Sequence, residues 1–177
     1  MAIRILVFLL ETVFYVLIGA ALLRAYMNWL RINMVAQPGT FVMALTNWLV
    51  KPLRRLLPQV LVRTRLDSAS LLAAVLLALL YALLSAWLLS GAMPGLAWLG
   101  FAVQMLLRVL LQTLTMLVFG YVVISWVQPG SPVYGLLARM VEPPLAPLRR
   151  IVPTVGGVDL SAMALLLLLQ IGLMLIG

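Results

Sequence analysis

Pro52-Leu53-Arg54-Arg55-Leu56-Leu57-Pro58 returns 95 residues later as Pro147-Leu148-Arg149-Arg150-Ile151-Val152-Pro153. Each copy follows a long apolar segment ending in tryptophan, Trp29 or Trp126. Each is followed within ten residues by an aspartate, Asp67 or Asp159, and then by another apolar run. The chain therefore reads as one unit written twice, over residues 1–92 and 93–177. The unit is an apolar segment, a basic proline-bracketed loop, an aspartate and a second apolar segment. Self-similarity of this kind has to be read before any single residue is.

Of the 177 residues, 66% are hydrophobic and only 9% are charged, a balance outside that of soluble domains. A bilayer accommodates that much apolar surface, and its core, about 30 Å thick, takes roughly 20 helical residues per crossing. Four segments meet this: residues 5–29, 69–91, a stretch within 96–127, and 160–177. In lipid they must be helices, because every backbone polar group needs an internal partner. Met1-Ala2-Ile3-Arg4 enters the first segment without a small-residue cleavage site, so an uncleaved span is expected. The short link Gly91-Ala92-Met93-Pro94-Gly95 carries no charge.

Apolar residues also recur at helical spacing in both loops: Phe41, Leu45, Trp48 and Leu49, then Val133, Leu136, Leu137, Met140 and Val141. The expected fold is all-α: four transmembrane helices as two tandem repeats, with an interfacial amphipathic helix in each basic loop. Two spans return the chain to its starting side, so the repeats should relate about an axis near the membrane normal. The first proline of each motif is expected to reset the loop helix and the second to stop it.

The positive charge of the chain follows the loops. Arg24, Arg31, Lys51, Arg54, Arg55, Arg63 and Arg65 fall in the first, Arg139, Arg149 and Arg150 in the second, and Arg4 alone on the other side. Cytoplasmic loops collect Arg and Lys, which puts both loops in the cytoplasm, or in the stroma or matrix of an organelle, and both termini opposite. The same rule explains the basic balance without nucleic acid. No cysteine or histidine occurs, which removes disulfides, Cys/His metal sites and Cys/His catalysis. No cofactor, no metal and no enzymatic activity are expected.

Two sets of residues carry the chemistry that remains. Arg54, Arg55, Arg149 and Arg150 lie where juxtamembrane arginines meet anionic headgroups, at about 1 kcal/mol each. The fixed proline frame also suits a membrane-protein partner. Asp67 and Asp159 stand where an N-cap aspartate satisfies free N–H groups at a helix start, with pairing to the motif arginines open as well. Inside the spans, Arg108 lies 97 residues after Glu11, the separation of Trp126 from Trp29, so the two opposite charges occupy equivalent positions. Gln104, Arg108 and Gln112 share one helical stripe, a polar seam. The seam is either part of an ion or substrate path, or a packing or snorkelling device, and the second is preferred because a lone pair of charges cannot conduct. Gly19, Ala20 and Ala21 suit close helix packing or a homo-oligomer.

The second unit resembles the YggT family of small bacterial and plastid membrane proteins. The residues are Val141-Glu142-Pro143, then Pro147 through Pro153, then Gly156-Gly157-Val158-Asp159-Leu160-Ser161, with Ser125-Trp126 at the end of the preceding span. The resemblance implies two such units in a bacterial inner membrane. It associates bacterial members with osmotic or ion homeostasis, some with division or membrane organisation, and plastid relatives with attaching haem to cytochrome b6. The first unit departs from the pattern: Asn47 and Trp48 replace Glu142 and Pro143, the Gly-Gly turn becomes Val60-Leu61-Val62-Arg63-Thr64-Arg65, and Ala69 replaces the serine. Glu142, Pro147, Arg149, Arg150, Pro153 and Asp159 are accordingly the stronger site candidates. Two functions are expected from these features. One is a non-catalytic scaffold or assembly factor whose loops dock anionic lipid or a membrane protein. The alternative is a small oligomeric ion or osmolyte pathway.

Overall fold

The computed structural model describes residues 1–35, 37–57, 67–90, 96–152 and 159–177. Pro58, the stretch 60–65, the link at 91–95, Pro153 and Gly156-Gly157 lie outside the described residues. The described chain is all-helical: α1 (Ala2–Trp29), α2 (Gly39–Leu56), α3 (Ser68–Ser90), α4 (Ala97–Val127), α5 (Pro132–Arg149) and α6 (Leu160–Ile176). Three stretches, Ile3–Trp29, Ser68–Leu89 and Ala97–Val127, are long and apolar enough to cross a membrane. The fourth, α6, has 17 residues. At 1.5 Å per residue it rises roughly 25 Å.

The chain forms two compact units, Met1–Val109 and Leu110–Gly177, which divide within α4. In the first, α1 packs on α3, and α2 packs on both. The contact is made by small side chains: Ala21 on α1, and Ala69, Ala73, Ala74, Ala78 and Ala82 on α3, with Phe14, Ile18 and Val50 among them. Small residues let helix backbones approach where lipid offers no hydrophobic drive between helices. Of Gly19, Ala20 and Ala21, the two alanines are buried and Gly19 is half-buried, and Ala21 shares its cluster with the longer alanine stripe of α3.

α1 ends in a Schellman motif. The Arg31 N–H donates to Asn28 O and the Ile32 N–H to Met27 O, each at 3.0 Å, with Arg31 in the left-handed region at φ 54°. Met27 and Ile32, the two ends of that motif, are both buried. The turn reverses the chain into α2, whose first residue, Gly39, lies against the backbone of Met34.

In the second unit Val118 and Tyr121 of α4, Val141 and Leu145 of α5, and Ala162, Leu165 and Leu169 of α6 form the core. Ser131 caps α5 by accepting from the Tyr134 N–H at 3.1 Å, with Pro132 in the first turn, where its missing N–H costs nothing.

One expectation about the loops changes. The first prolines do not reset the helices. α2 runs through Pro52, and α5 through Pro143, Pro144 and Pro147. Pro52 removes a bond to the carbonyl of Trp48, which is 59% exposed, so no polar group is stranded in the core. Leu53-Arg54-Arg55 therefore lies in the last turn of α2, and Leu148-Arg149 ends α5 with Arg150 as its C-cap residue. Each loop helix also turns a face of its own into the unit. Val42, Thr46 and Val50 are buried, while Phe41 and Trp48 point outward. In α5, Met140, Val141 and Leu145 are buried, and Val133 is exposed.

Candidate functional site

Each unit folds its motif arginine onto its aspartate. In the first, Asp67 stands just before α3, and its side chain is 7% exposed. Its Oδ2 accepts from Arg54 Nη2 at 2.8 Å, from Asn28 Nδ2 at 2.7 Å and from Ser70 Oγ at 2.7 Å. Arg24 Nε lies 3.9 Å from the same oxygen. The Arg24 guanidinium is buried inside α1 and donates to Thr46 Oγ1 at 2.8 Å and Asn47 Oδ1 at 3.1 Å, both on α2. One aspartate thus ties the end of α1, the end of α2 and the start of α3 together.

The second unit repeats the arrangement. Asp159 Oδ2 accepts from Arg149 Nε at 3.1 Å and Nη2 at 3.0 Å. Arg149 Nη1 also donates to Glu142 Oε2 at 2.6 Å, and Nη2 to the Tyr121 hydroxyl at 3.2 Å. Asp159 Oδ1 accepts from the Ser161 N–H at 3.0 Å and from the Ser161 hydroxyl. Tyr121 stacks on Tyr134 with ring centroids 5.6 Å apart. The two readings of the aspartates are both realised at Asp159, which caps α6 and holds Arg149 at once.

The equivalence runs deeper than the motif. Arg24 and Tyr121 lie 97 residues apart, like Trp29 and Trp126, and Asn47 and Glu142 lie 95 apart, like Arg54 and Arg149. The same three helix positions, with an aspartate just before the last helix, build both clusters with different chemistry. The first sets Arg24 and Arg54 against Asp67, an excess of one positive charge. The second sets Arg149 against Glu142 and Asp159, an excess of one negative charge. Ser70 supplies the hydroxyl that Ala69 lacks, one position later than Ser161 in the second unit. Arg24, Asn28, Ser70, Tyr121 and Ser161 had no site role in the sequence reading, and Arg24 was counted with the loop. The offset of 97 residues was the signal that could have found the pairing of Arg24 with Tyr121.

Burial works to raise both carboxyls, but hydrogen bonds outweigh it. Ser70 and Arg54 hold Asp67 below the ordinary carboxylate value, and Ser161 and Arg149 do the same for Asp159. Burial likewise works to lower Arg149, and the hydrogen bond and charge of Asp159, with Glu142 beyond, leave it raised.

The second member of each arginine pair behaves differently. Arg55 and Arg150 are exposed, and among the described residues neither side chain has a hydrogen-bond or ion-pair partner. Arg55 closes an outward stripe of α2 made of Phe41, Ala44, Trp48 and Lys51, all exposed. Arg150 lies in the same register with Arg139, also exposed. Pro147 is exposed.

The intramembrane residues come together only in part. Glu11, Gln104 and Arg108 line one cavity of about 250 Å³ in the first unit, with Tyr81 and Ser85. The ion pairs of the described residues run elsewhere, and Glu11 and Arg108 do not pair with each other. Gln112, one turn further along α4, is half-buried and does not line it. No three acidic side chains gather among the described residues.

Long apolar helices mark a membrane protein, and within it an Arg–Asp clasp occurs twice. The chain belongs to the CCB3/YggT family, whose pattern it matches over residues 3–88 and 101–177. It is similar to an Escherichia coli protein called "Uncharacterized protein YggT", 34% identical over 171 residues, covering 94% of this chain and 86% of that one. A Vibrio alginolyticus protein is 29% identical over 173 residues, covering 96% and 92% of the two chains. A Pseudomonas aeruginosa protein is 32% identical over 174 residues, covering 93% and 84%. No solved structure matches the chain. Neither the family nor these relatives indicates a catalytic activity.

Proposed function

We propose that the protein is a non-catalytic scaffold of the bacterial inner membrane whose two basic helix ends dock anionic lipid headgroups and so hold the protein in register with the bilayer surface. The observation that carries this is the division of labour within each arginine pair. Arg54 and Arg149 are spent on internal aspartates, whereas Arg55 and Arg150 stand exposed. Aromatic and cationic side chains on one outward stripe (Phe41, Trp48, Lys51, Arg55) match a headgroup layer, where tryptophan and arginine both settle. α2 and α5 are then interfacial helices, and α6 is a fourth span at the short end of the workable range. A membrane-protein partner gripping the same arginines is the competing form of this reading, and homeostasis or assembly roles would follow from what is docked.

The test is Arg55→Ala with Arg150→Ala, titrated with phosphatidylglycerol in mixed micelles. Two arginines at about 1 kcal/mol each predict roughly 30-fold weaker binding at unchanged melting temperature. Wild-type lipid binding in the double variant would sink the docking role. The orientation is tested separately. The chain has no cysteine, so Gly135→Cys, at an exposed site with open space around it, is a unique label. In spheroplasts an impermeant maleimide should reach it only after the membrane is permeabilised; labelling of intact spheroplasts would invert the topology.

The Glu11–Gln104–Arg108 cavity favours a second reading, a small ion or osmolyte pathway in an oligomer. That reading expects Arg108→Leu to change flux in proteoliposomes at equal protein content. Identical flux from variant, wild type and empty vesicles would remove it.

A further inference from the structure

The cavity in the first unit carries an unusual pair of walls. Glu11 comes from α1 and Arg108 from α4, while Tyr81 and Ser85 come from α3. A carboxylate and a guanidinium within apolar helices are each costly there, and the usual remedy is to pair them. Here both line one space, and among the described residues neither forms an ion pair. The space of about 250 Å³ has roughly the volume of eight water molecules. Ser85 and Gln104 add polar lining, and the rings of Tyr81 and Phe101 add aromatic walls. One turn along α1 from Glu11, the Tyr15 hydroxyl is buried and has no hydrogen-bond partner among the described residues. Aromatic faces beside a carboxylate suit an ammonium group, and a guanidinium suits a carboxylate or phosphate.

We infer that this cavity binds a zwitterion, its ammonium end held by Glu11 between Tyr81 and Phe101 and its anionic end by Arg108. A monovalent ion would satisfy one wall and leave the other charge uncompensated. A zwitterion satisfies both with no net charge brought into the membrane. Val7, Leu89 and Phe101, all apolar, line the same space. Two sources offer this chemistry: a free ω-amino acid, or the ethanolamine-phosphate headgroup of a lipid. The inference does not depend on the docking role of Arg55 and Arg150, which are not part of this cavity.

The experiment uses the full chain, delipidated in detergent. One arm titrates glycine, 4-aminobutyrate and 6-aminohexanoate by calorimetry, which also reports the spacing of the two charges. The other arm measures phosphatidylethanolamine retained in native mass spectra, against phosphatidylglycerol as control. Glu11→Gln and Arg108→Gln remove one charge each, keep the side-chain length or shorten it, and lessen the insertion cost, so both should fold. Their melting temperatures are recorded alongside. Saturable binding of an ω-amino acid, weakened at least tenfold in each variant, identifies a soluble ligand. Selective retention of phosphatidylethanolamine, lost in both variants, identifies the lipid. Binding in neither arm, or binding unchanged in folded variants, overturns the site. The Arg55→Ala, Arg150→Ala variant should bind in this assay as the wild type does, so failure of the docking role and failure of the cavity are told apart.

Discussion

Replacing Asp67 with alanine should cost the first unit about 3–5 kcal/mol, the penalty for removing one partner from a buried ion cluster. Asp67 accepts from Arg54, Asn28 and Ser70 and is the carboxylate nearest the buried Arg24. Without it, Arg24, whose side chain is 6% exposed, keeps its charge and only the neutral acceptors of Thr46 and Asn47. Arg54, at 44% exposure, can turn to solvent, so most of the loss comes through Arg24. The equivalent Asp159→Ala should cost less, because Asp159 is 22% exposed and Arg149 retains Glu142. Unfolding in a mild detergent measures both, and an Asp67→Ala protein within about 1 kcal/mol of wild type would show that the clasp is decorative.

Acid should act through the same groups. Burial pushes Asp67 up, but hydrogen bonds from Ser70 and Arg54 leave its folded pKa below the ordinary value, and Asp159 follows suit through Ser161 and Arg149. The unfolded chain then binds these protons more readily than the folded one. The stabilisation is complete above about pH 4, the ordinary carboxylate value, and is lost as pH falls through the lowered folded values. Melting temperature should be level from neutrality to about pH 5 and drop below about pH 4, with a smaller drop in Asp67→Asn.

The second large effect is expected at Gly39. A Cβ there would lie 2.6 Å from Met34 Cα and 2.7 Å from Met34 O, so backbone must move to admit a methyl group. Gly39→Ala should cost at least about 1–3 kcal/mol, as overpacking does, and should shift the start of α2. That shift would be felt at Thr46 and Asn47, which α2 offers to Arg24. Gly172→Ala is the contrast. Its Cβ would meet Leu111 Cδ1 at 3.1 Å, the far end of a flexible side chain that can give way. Equal losses at the two positions would mean that the approach of Met34 to Gly39 carries no energy.

Much of the architecture is legible in the chain because a bilayer reduces the choices. Runs as apolar as 5–29 and 69–91 have to be helices in lipid, and the repeated motif announces that the same unit is built twice. The aspartates were legible as caps because an acidic residue just before an apolar run has one obvious local use. The prolines misled for a local reason as well. A proline is read as a helix breaker, yet the exposed Pro52 near the end of α2 costs one hydrogen bond, to the carbonyl of the exposed Trp48, and α2 continues through it, as α5 does through Pro143, Pro144 and Pro147.

What the sequence determined by itself is the class of protein, the duplication, and which residue types stand at the loop ends, since these follow from hydropathy, length and spacing. What only the tertiary structure decided is how identical-looking neighbours divide. Nothing in Arg54-Arg55 or Arg149-Arg150 says which arginine turns inward. That depends on consecutive residues being rotated by about 100° on a helix, and on where Asp67 and Asp159 arrive from outside it. The same holds for Arg24, a loop charge by composition and a buried clasp in the folded unit, because its partners Thr46, Asn47 and Asp67 come from two other segments of the chain.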